Sequence, residues 1–342
     1  MTDSGLHVRV VRDQVYSRAG GVDRLADVYI PETRMAPPVV LWLHGGGWRF
    51  GDRRLAPDLA SFAQRSGLAA VSIDYRLSDE AKFPAPVEDV KTATRWVRSA
   101  ARDFGVDGGR IGLWGSSAGG HLAACAALSR ENQFLTAEHS GYSSAVQAVV
   151  DGYGPTNFGR IDADRGATAS LGTDAESLGI RKLLPAGHPE SFESRLLGVP
   201  VSTSPREVGC ADPVHYMRDG CPPFLILHGQ ADTVIPCTQS SYLFDALGAA
   251  GNDAALVLFE KLGHGFFNNG RLAEEDYGEV TVRESPACRM RAAWSCDPRL
   301  DIPAMVSGFL RAHLFGARGA ASAGMAGTRG LGIWKGEGRR ND

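Results

Sequence analysis

The stretch Ile111-Gly112-Leu113-Trp114-Gly115-Ser116-Ser117-Ala118-Gly119-Gly120, continued by His121 to Leu128, decides how the chain is read. Ile111 to Trp114 has the apolar character of a strand, and the small and apolar residues from Ala118 to Leu128 read as a helix. The chain must therefore turn from strand to helix within a few residues. A serine at the apex of so tight a turn leaves no space for side chains two residues to either side, and glycines stand at both of those positions, Gly115 and Gly119. Ser117 is accordingly the candidate nucleophile. The plainer alternative is a Gly/Ser-rich turn that only joins two elements, or a helix N-terminus that receives an anion.

On both sides of this unit the same alternation recurs. Leu25 to Ile30 and Val39 to Leu43 read as strands separated by a Pro-rich stretch, and Leu68 to Asp74 reads as a third. Apolar residues at helical spacing then run from Val87 to Ala101. Val146 to Val150, Phe224 to Leu227 and Ala255 to Phe259 continue the strands, with helices predicted over Ser240 to Ala249 and Ile302 to Leu314. Strands alternating with helices predict an α/β fold, with a mostly parallel sheet covered on both faces. Between Pro155 and Pro213 the periodicity fails, which predicts an insertion over the sheet within one domain of residues 1–315. Gly265 to Pro298 is irregular too and is read as a lid loop or plain surface. Residues 316–342 contain eight glycines and five basic against two acidic residues, and are read as a disordered tail.

Composition narrows the function classes. The 342 residues are 43% apolar and 22% charged, as in an ordinary globular protein, and 36 basic against 39 acidic residues give a net charge of −3. No global basic field attracts nucleic acid. The apolar run Val39 to Leu43 is far short of the roughly 20 residues that span a bilayer, so no membrane partner is expected. The start Met1-Thr2-Asp3-Ser4 lacks a basic, apolar leader pattern, which sets a cytoplasmic expectation. The six cysteines form no Cys-x-x-Cys pair, arguing against a zinc site and a dense disulfide framework; no metal and no cofactor are expected.

The partners of Ser117 follow from chemistry. His44-Gly45-Gly46-Gly47-Trp48 follows the strand Val39 to Leu43, where three glycines allow backbone N–H groups to converge on one point. Preorganised donors aimed at a developing oxyanion are worth roughly 10²- to 10³-fold in rate each. Gly46, Gly47 and Ala118 are the candidate donors. A flexible turn or phosphate cradle is the alternative, although the loop matches neither nucleotide-binding glycine pattern. Downstream, Asp232 lies beyond the strand Phe224 to Leu227, and His264 beyond Ala255 to Phe259, in the order serine, acid, histidine. His264 would take the serine proton, and Asp232 would fix its tautomer. His121, four residues after Ser117, is the rival base, but its helical position suits packing better.

With these motifs in this order the sequence resembles the α/β-hydrolase superfamily and, more narrowly, the hormone-sensitive-lipase-like carboxylesterases marked by HGGG upstream of GxSAGG. Asp74-Tyr75-Arg76-Leu77, Lys82-Phe83-Pro84-Ala85-Pro86 and Glu88-Asp89-Val90 look closest to the subgroup of bifunctional feruloyl and acetyl-xylan esterase-like proteins. The resemblance covers roughly residues 39–267. It implies a metal-free serine carboxylic-ester hydrolase that acts through an acyl-enzyme on short-chain acyl or small aromatic esters. Trp48 would wall the acyl pocket, and the insertion would form a cap. An arylformamidase, with a similar layout, is the second expectation. An acyltransferase uses the same acyl-enzyme, and the rival from another class is a ligand-binding module on this fold, a kind that resembles these esterases but has lost the histidine, which is present here as His264. The expected partner is a small-molecule ester, and assembly is left open, a homodimer included.

Overall fold

The computed structural model describes residues 6–166, 183–267, 277–289 and 302–315. Nine strands form one sheet among them: β1 (Val8–Ser17), β2 (Arg24–Pro31), β3 (Pro38–Leu43), β4 (Ala69–Ile73), β5 (Asp107–Ser116), β6 (Ala148–Gly152), β7 (Phe224–Gly229), β8 (Ala254–Phe259) and β9 (Val280–Glu284). Their spatial order is β1-β2-β4-β3-β5-β6-β7-β8-β9. The six strands from β4 to β8 run parallel, while β1, β2 and β9 are antiparallel additions at the two edges.

Alternation along each parallel strand feeds two cores. Val39, Leu41 and Leu43 face one side of the sheet and Val40 and Trp42 the other, and all five are fully buried. On the first side lie α2 (Ala85–Phe104), α3 (Ala118–Leu128) and, following the chain past the insertion, a helix over Thr238–Ala249. The second side is covered by α1 (Leu59–Ser66) and the last helix, Ile302–Phe315. A sheet covered on both faces explains why its strands read as continuous apolar runs. In the insertion the described residues form α4 (Ile161–Arg165), α5 (Phe192–Leu197) and α6 (Pro205–Ala211), with no strand among them. The helices over Thr238–Ala249 and Ile302–Phe315 are therefore α7 and α8.

The three short helices of the insertion were not foreseen, nor were three elements outside it, and one expectation is corrected. Part of Gly265 to Pro298 is neither lid nor plain surface: Val280–Glu284 pairs antiparallel with β8 and closes that edge of the sheet. Strand β1 escapes a period-two reading because its register slips between Val11 and Gln14, at Asp13 with φ 57°. Helix α1 is too short to show a convincing helical period; Asp58 caps its start by accepting from the Ser61 N–H, and Gly67 ends it at φ 68°. Residues 316–342, read as a disordered tail, lie outside the described residues.

Candidate active site

Five connections at the carboxyl ends of the parallel strands converge on one point: His44 to Trp48 after β3, Ser117 after β5, Tyr153 after β6, Asp232 after β7 and His264 after β8. This end of an open α/β sheet is where diverging loops leave room for ligands. Ser117 itself holds φ 51° and ψ −119°, a conformation that L-residues rarely adopt. The flanking glycines are required by contact. A Cβ on Gly115 would lie 2.2 Å from the Gly119 carbonyl oxygen, and one on Gly119 would lie 2.0 Å from that of Leu43. Helix α3 thus sits against β3 at a distance only glycine allows.

Ser117 Oγ lies 2.9 Å from His264 Nε2, and His264 Nδ1 lies 2.7 Å from Asp232 Oδ2. An ionised carboxylate only accepts, so the imidazole donates through Nδ1–H and offers a bare Nε2 to the serine hydroxyl. Asp232 is buried while Ser117 and His264 are partly exposed, which gives one buried charge at the end of an accessible pair. Burial alone would raise the Asp232 carboxyl, but His264 and His228, by charge and hydrogen bond, hold it well below the usual carboxylate range. Its other oxygen, Oδ1, accepts the N–H groups of Val234 and Ile235 at 2.8 Å each. Tyr153 sets its ring edge-on to His264, with centroids 4.9 Å apart, and its hydroxyl accepts from the Phe267 N–H.

The glycine loop is folded back tightly on the nucleophile. A Cβ on Gly45 would meet the side chain of Ser117 at 3.4 Å. Gly46 and Gly47 take φ 108° and 59°, and the Gly46 carbonyl accepts from both Arg49 and Phe50. His44 braces the loop: its ring stacks on Tyr75 at 4.2 Å, and the Tyr75 hydroxyl donates to the His44 carbonyl. Gly45 is thus the glycine of the loop that touches Ser117, Gly46 and Gly47 continue the same turn, and Ala118 follows Ser117 directly in the chain. Trp48 is buried, its ring packed against His121 and Phe158. From the insertion, the Phe192 ring covers Gly47, where a Cβ would come within 2.7 Å of it.

His121 takes the packing role. Fully buried, it donates from Nε2 to the Ala211 carbonyl at 2.7 Å, and burial pushes its imidazole down to about 4. Among the described residues no group of three or more His, Cys, Asp or Glu is arranged to hold a metal ion, and no helix is long and apolar enough to cross a membrane. The described cysteines, Cys125, Cys210, Cys221, Cys237 and Cys288, are free thiols.

Sequence reasoning passed over His228. Its ring is fully buried; Nε2–H points at the Ile235 carbonyl at 2.8 Å and at Asp232 Oδ2 at 3.3 Å, while Nδ1 accepts from the Ser240 hydroxyl. The available signal was its place four residues before Asp232 in His228-Gly229-Gln230-Ala231-Asp232. Phe192 and Tyr153 carried no signal of spacing at all.

The BD-FAE family model matches residues 26–247. The chain belongs to the BD-FAE family. This is the α/β-hydrolase subgroup anticipated from Asp74-Tyr75-Arg76-Leu77, Lys82-Phe83-Pro84-Ala85-Pro86 and Glu88-Asp89-Val90; Ser117 and Asp232 fall inside the match and His264 beyond its end. Esterase LipQ of Mycobacterium tuberculosis is 33% identical over 248 residues, covering 71% of this chain and 53% of LipQ. Isoprenylcysteine alpha-carbonyl methylesterase ICME of Arabidopsis thaliana is 30% identical over 244 residues, 70% of this chain and 53% of that protein. The chain thus spans about half the length of the curated relatives it matches. Among solved structures, the thermophilic esterase Est2 of Thermogutta terrifontis superposes with a TM-score of 0.59 at 31% identity, over 78% of this chain and 86% of Est2. A carbohydrate esterase from gut microbiota gives 0.63 at 25% identity, over 77% and 91%.

Proposed function

We propose that this BD-FAE member is a serine carboxylesterase that cleaves short-chain acyl or small aromatic esters through an acyl-enzyme. The observation that carries this reading is the unbroken hydrogen-bonded line from Ser117 Oγ through His264 to the buried Asp232. In it, His264 Nε2 takes the hydroxyl proton as Oγ attacks the ester carbonyl, and Asp232 stabilises the imidazolium that results. The carbonyl oxygen becomes an oxyanion held by backbone N–H groups of Gly46, Gly47 and Ala118. Collapse expels the alcohol, which leaves with the proton from His264, and water then repeats the sequence on the acyl-enzyme. Trp48 and Phe192 wall the acyl side.

Esterase relatives support the ester class, and Est2 has been solved phosphonylated by sarin and with propionate or butyrate bound, which supports a nucleophile and small acyl groups. The test combines a phosphonate inhibitor with a substrate panel. One equivalent of phosphonate should bind at Ser117, found by peptide mass spectrometry, and Ser117→Ala should lose about 10⁶-fold in kcat on p-nitrophenyl acetate. Label at another serine, or a variant that keeps a tenth of the activity, ends the assignment. Esters from acetate to laurate, methyl ferulate and N-formylkynurenine separate ester from formamide hydrolysis. A kcat/KM for N-formylkynurenine above every ester would replace this reading with the formamidase.

A further inference from the structure

Arg165 closes helix α4 in the insertion, 69 residues before Val234, whose carbonyl it reaches. Its side chain is 4% exposed. Nε donates to the Val234 carbonyl at 2.8 Å, and Nη2 meets Glu193 Oε1 of α5 at 3.4 Å, itself 3% exposed. The Val234 carbonyl belongs to the same peptide group as the Ile235 N–H. That N–H donates to Asp232 Oδ1. One planar amide is therefore gripped at its oxygen by a guanidinium and at its nitrogen by the carboxylate that faces His264. Because a peptide group is rigid, its oxygen cannot be displaced without turning the N–H away from Asp232. A cation on the oxygen also polarises the amide and strengthens the bond its N–H makes, as chained hydrogen bonds do at low dielectric.

We propose that Arg165 is a positioning residue for Asp232, acting through the peptide group between Val234 and Ile235, so that seating of the insertion and orientation of the acid are one event. The proposal rests on reading Asp232 as the acid of the site. Glu193 holds the guanidinium from the insertion side, with Asp162 Oδ1 3.6 Å from Nη1. The insertion thus supports the hydrogen-bonded line from outside the sheet, at the carboxylate oxygen that does not face His264.

A double-mutant cycle on the full chain tests this, because a residue acting through Asp232 has nothing to act on once the carboxylate is gone. The rate of p-nitrophenyl acetate hydrolysis is compared in wild type, Arg165→Gln, Asp232→Asn and the double variant. Arg165→Gln should lower kcat by about tenfold or more with Asp232 present. In the Asp232→Asn background the same change should cost less than about twofold. A purely structural role would give equal losses in both, so a ratio of the two losses under about threefold overturns the proposal. Removing Arg165 alone strands the Glu193 carboxylate in the interior, a cost that can unfold the insertion. Arg165→Gln with Glu193→Gln removes both charges and carries the same cycle if the single variant does not fold. Should Asp232→Asn itself leave kcat within tenfold of wild type, the acid assignment fails, and this proposal with it.

Discussion

The nucleophile turn and the acid loop stand side by side and are held in opposite ways. Around Ser117 the constraint is steric: Gly115 and Gly119 are fixed by carbonyl oxygens about 2 Å from where a Cβ would sit, and every residue of α3 is buried. Around Asp232 the constraint is polar: two backbone N–H groups, the rings of His228 and His264 and, through a peptide group, Arg165. One region is specified by the absence of side chains, the other by polar groups, local in Val234, Ile235 and His228 and distant in His264 and Arg165. Damage to the first should show in folding and to the second in turnover.

Loss of the Ser117 hydroxyl itself aside, the largest expected effect is on turnover at the acid loop. Asp232→Asn should cut kcat by as much as about 10⁴-fold by giving His264 the wrong tautomer, while the circular-dichroism spectrum stays native. If the rate falls only because the variant no longer folds, the contrast between the regions is broken. Next comes Gly119→Ala, whose methyl would meet the Leu43 carbonyl oxygen at 2.0 Å and force α3 off the sheet. Overpacking of this kind costs about 3 kcal/mol or more, read as a fall in the urea midpoint. An unchanged midpoint would show that α3 can shift freely.

The legibility of the sequence divides along the same line. Steric requirements leave a local signature, since glycine is placed where nothing else fits; Gly115, Gly119 and the run Gly45-Gly46-Gly47 could be read without a structure. The parallel strands were legible too, because burial on both faces makes each a continuous apolar run. Polar support from afar leaves no such signature. Nothing near Arg165 in the sequence points to Val234, and nothing near Phe192 points to Gly47. The edge strands β1 and β9 were missed for a related reason: with one side open to solvent, and a slipped register in β1, their alternation is diluted.

A smaller effect distinguishes the two histidines beside Ser117. The imidazole of His121 is held down at about 4 in the folded chain, against about 6.5 when unfolded. Its neutral form is favoured by folding, so the stability it contributes is complete above pH 6.5 and is lost as pH falls towards 4, up to about 3 kcal/mol. Asp151, raised to about 6 by burial, acts in the opposite sense, because the folded chain takes up its proton first. The prediction therefore concerns a difference: His121→Gln should flatten the fall in the urea midpoint between pH 6.5 and 4. Equal slopes in variant and wild type would place the titration elsewhere. Smallest of all, Gly209→Ala in α6 should stabilise the insertion by about 0.5 kcal/mol, seen as a slightly higher Tm, since its Cβ would point into open space. A loss there would mean that the insertion, like the nucleophile turn, is sterically specified.

Trp42 and Trp114 lie with ring centroids 4.9 Å apart at 83°, both fully buried, on the adjacent strands that end in the glycine loop and the nucleophile turn. In optical terms the molecule carries its own gauge. Two indoles so close and so rigidly crossed should couple their near-ultraviolet transitions, giving a circular-dichroism signal that depends on the distance between these strands. The signal would vanish on loosening of the core even where secondary structure persists. It can be followed in any variant of the site without adding a label.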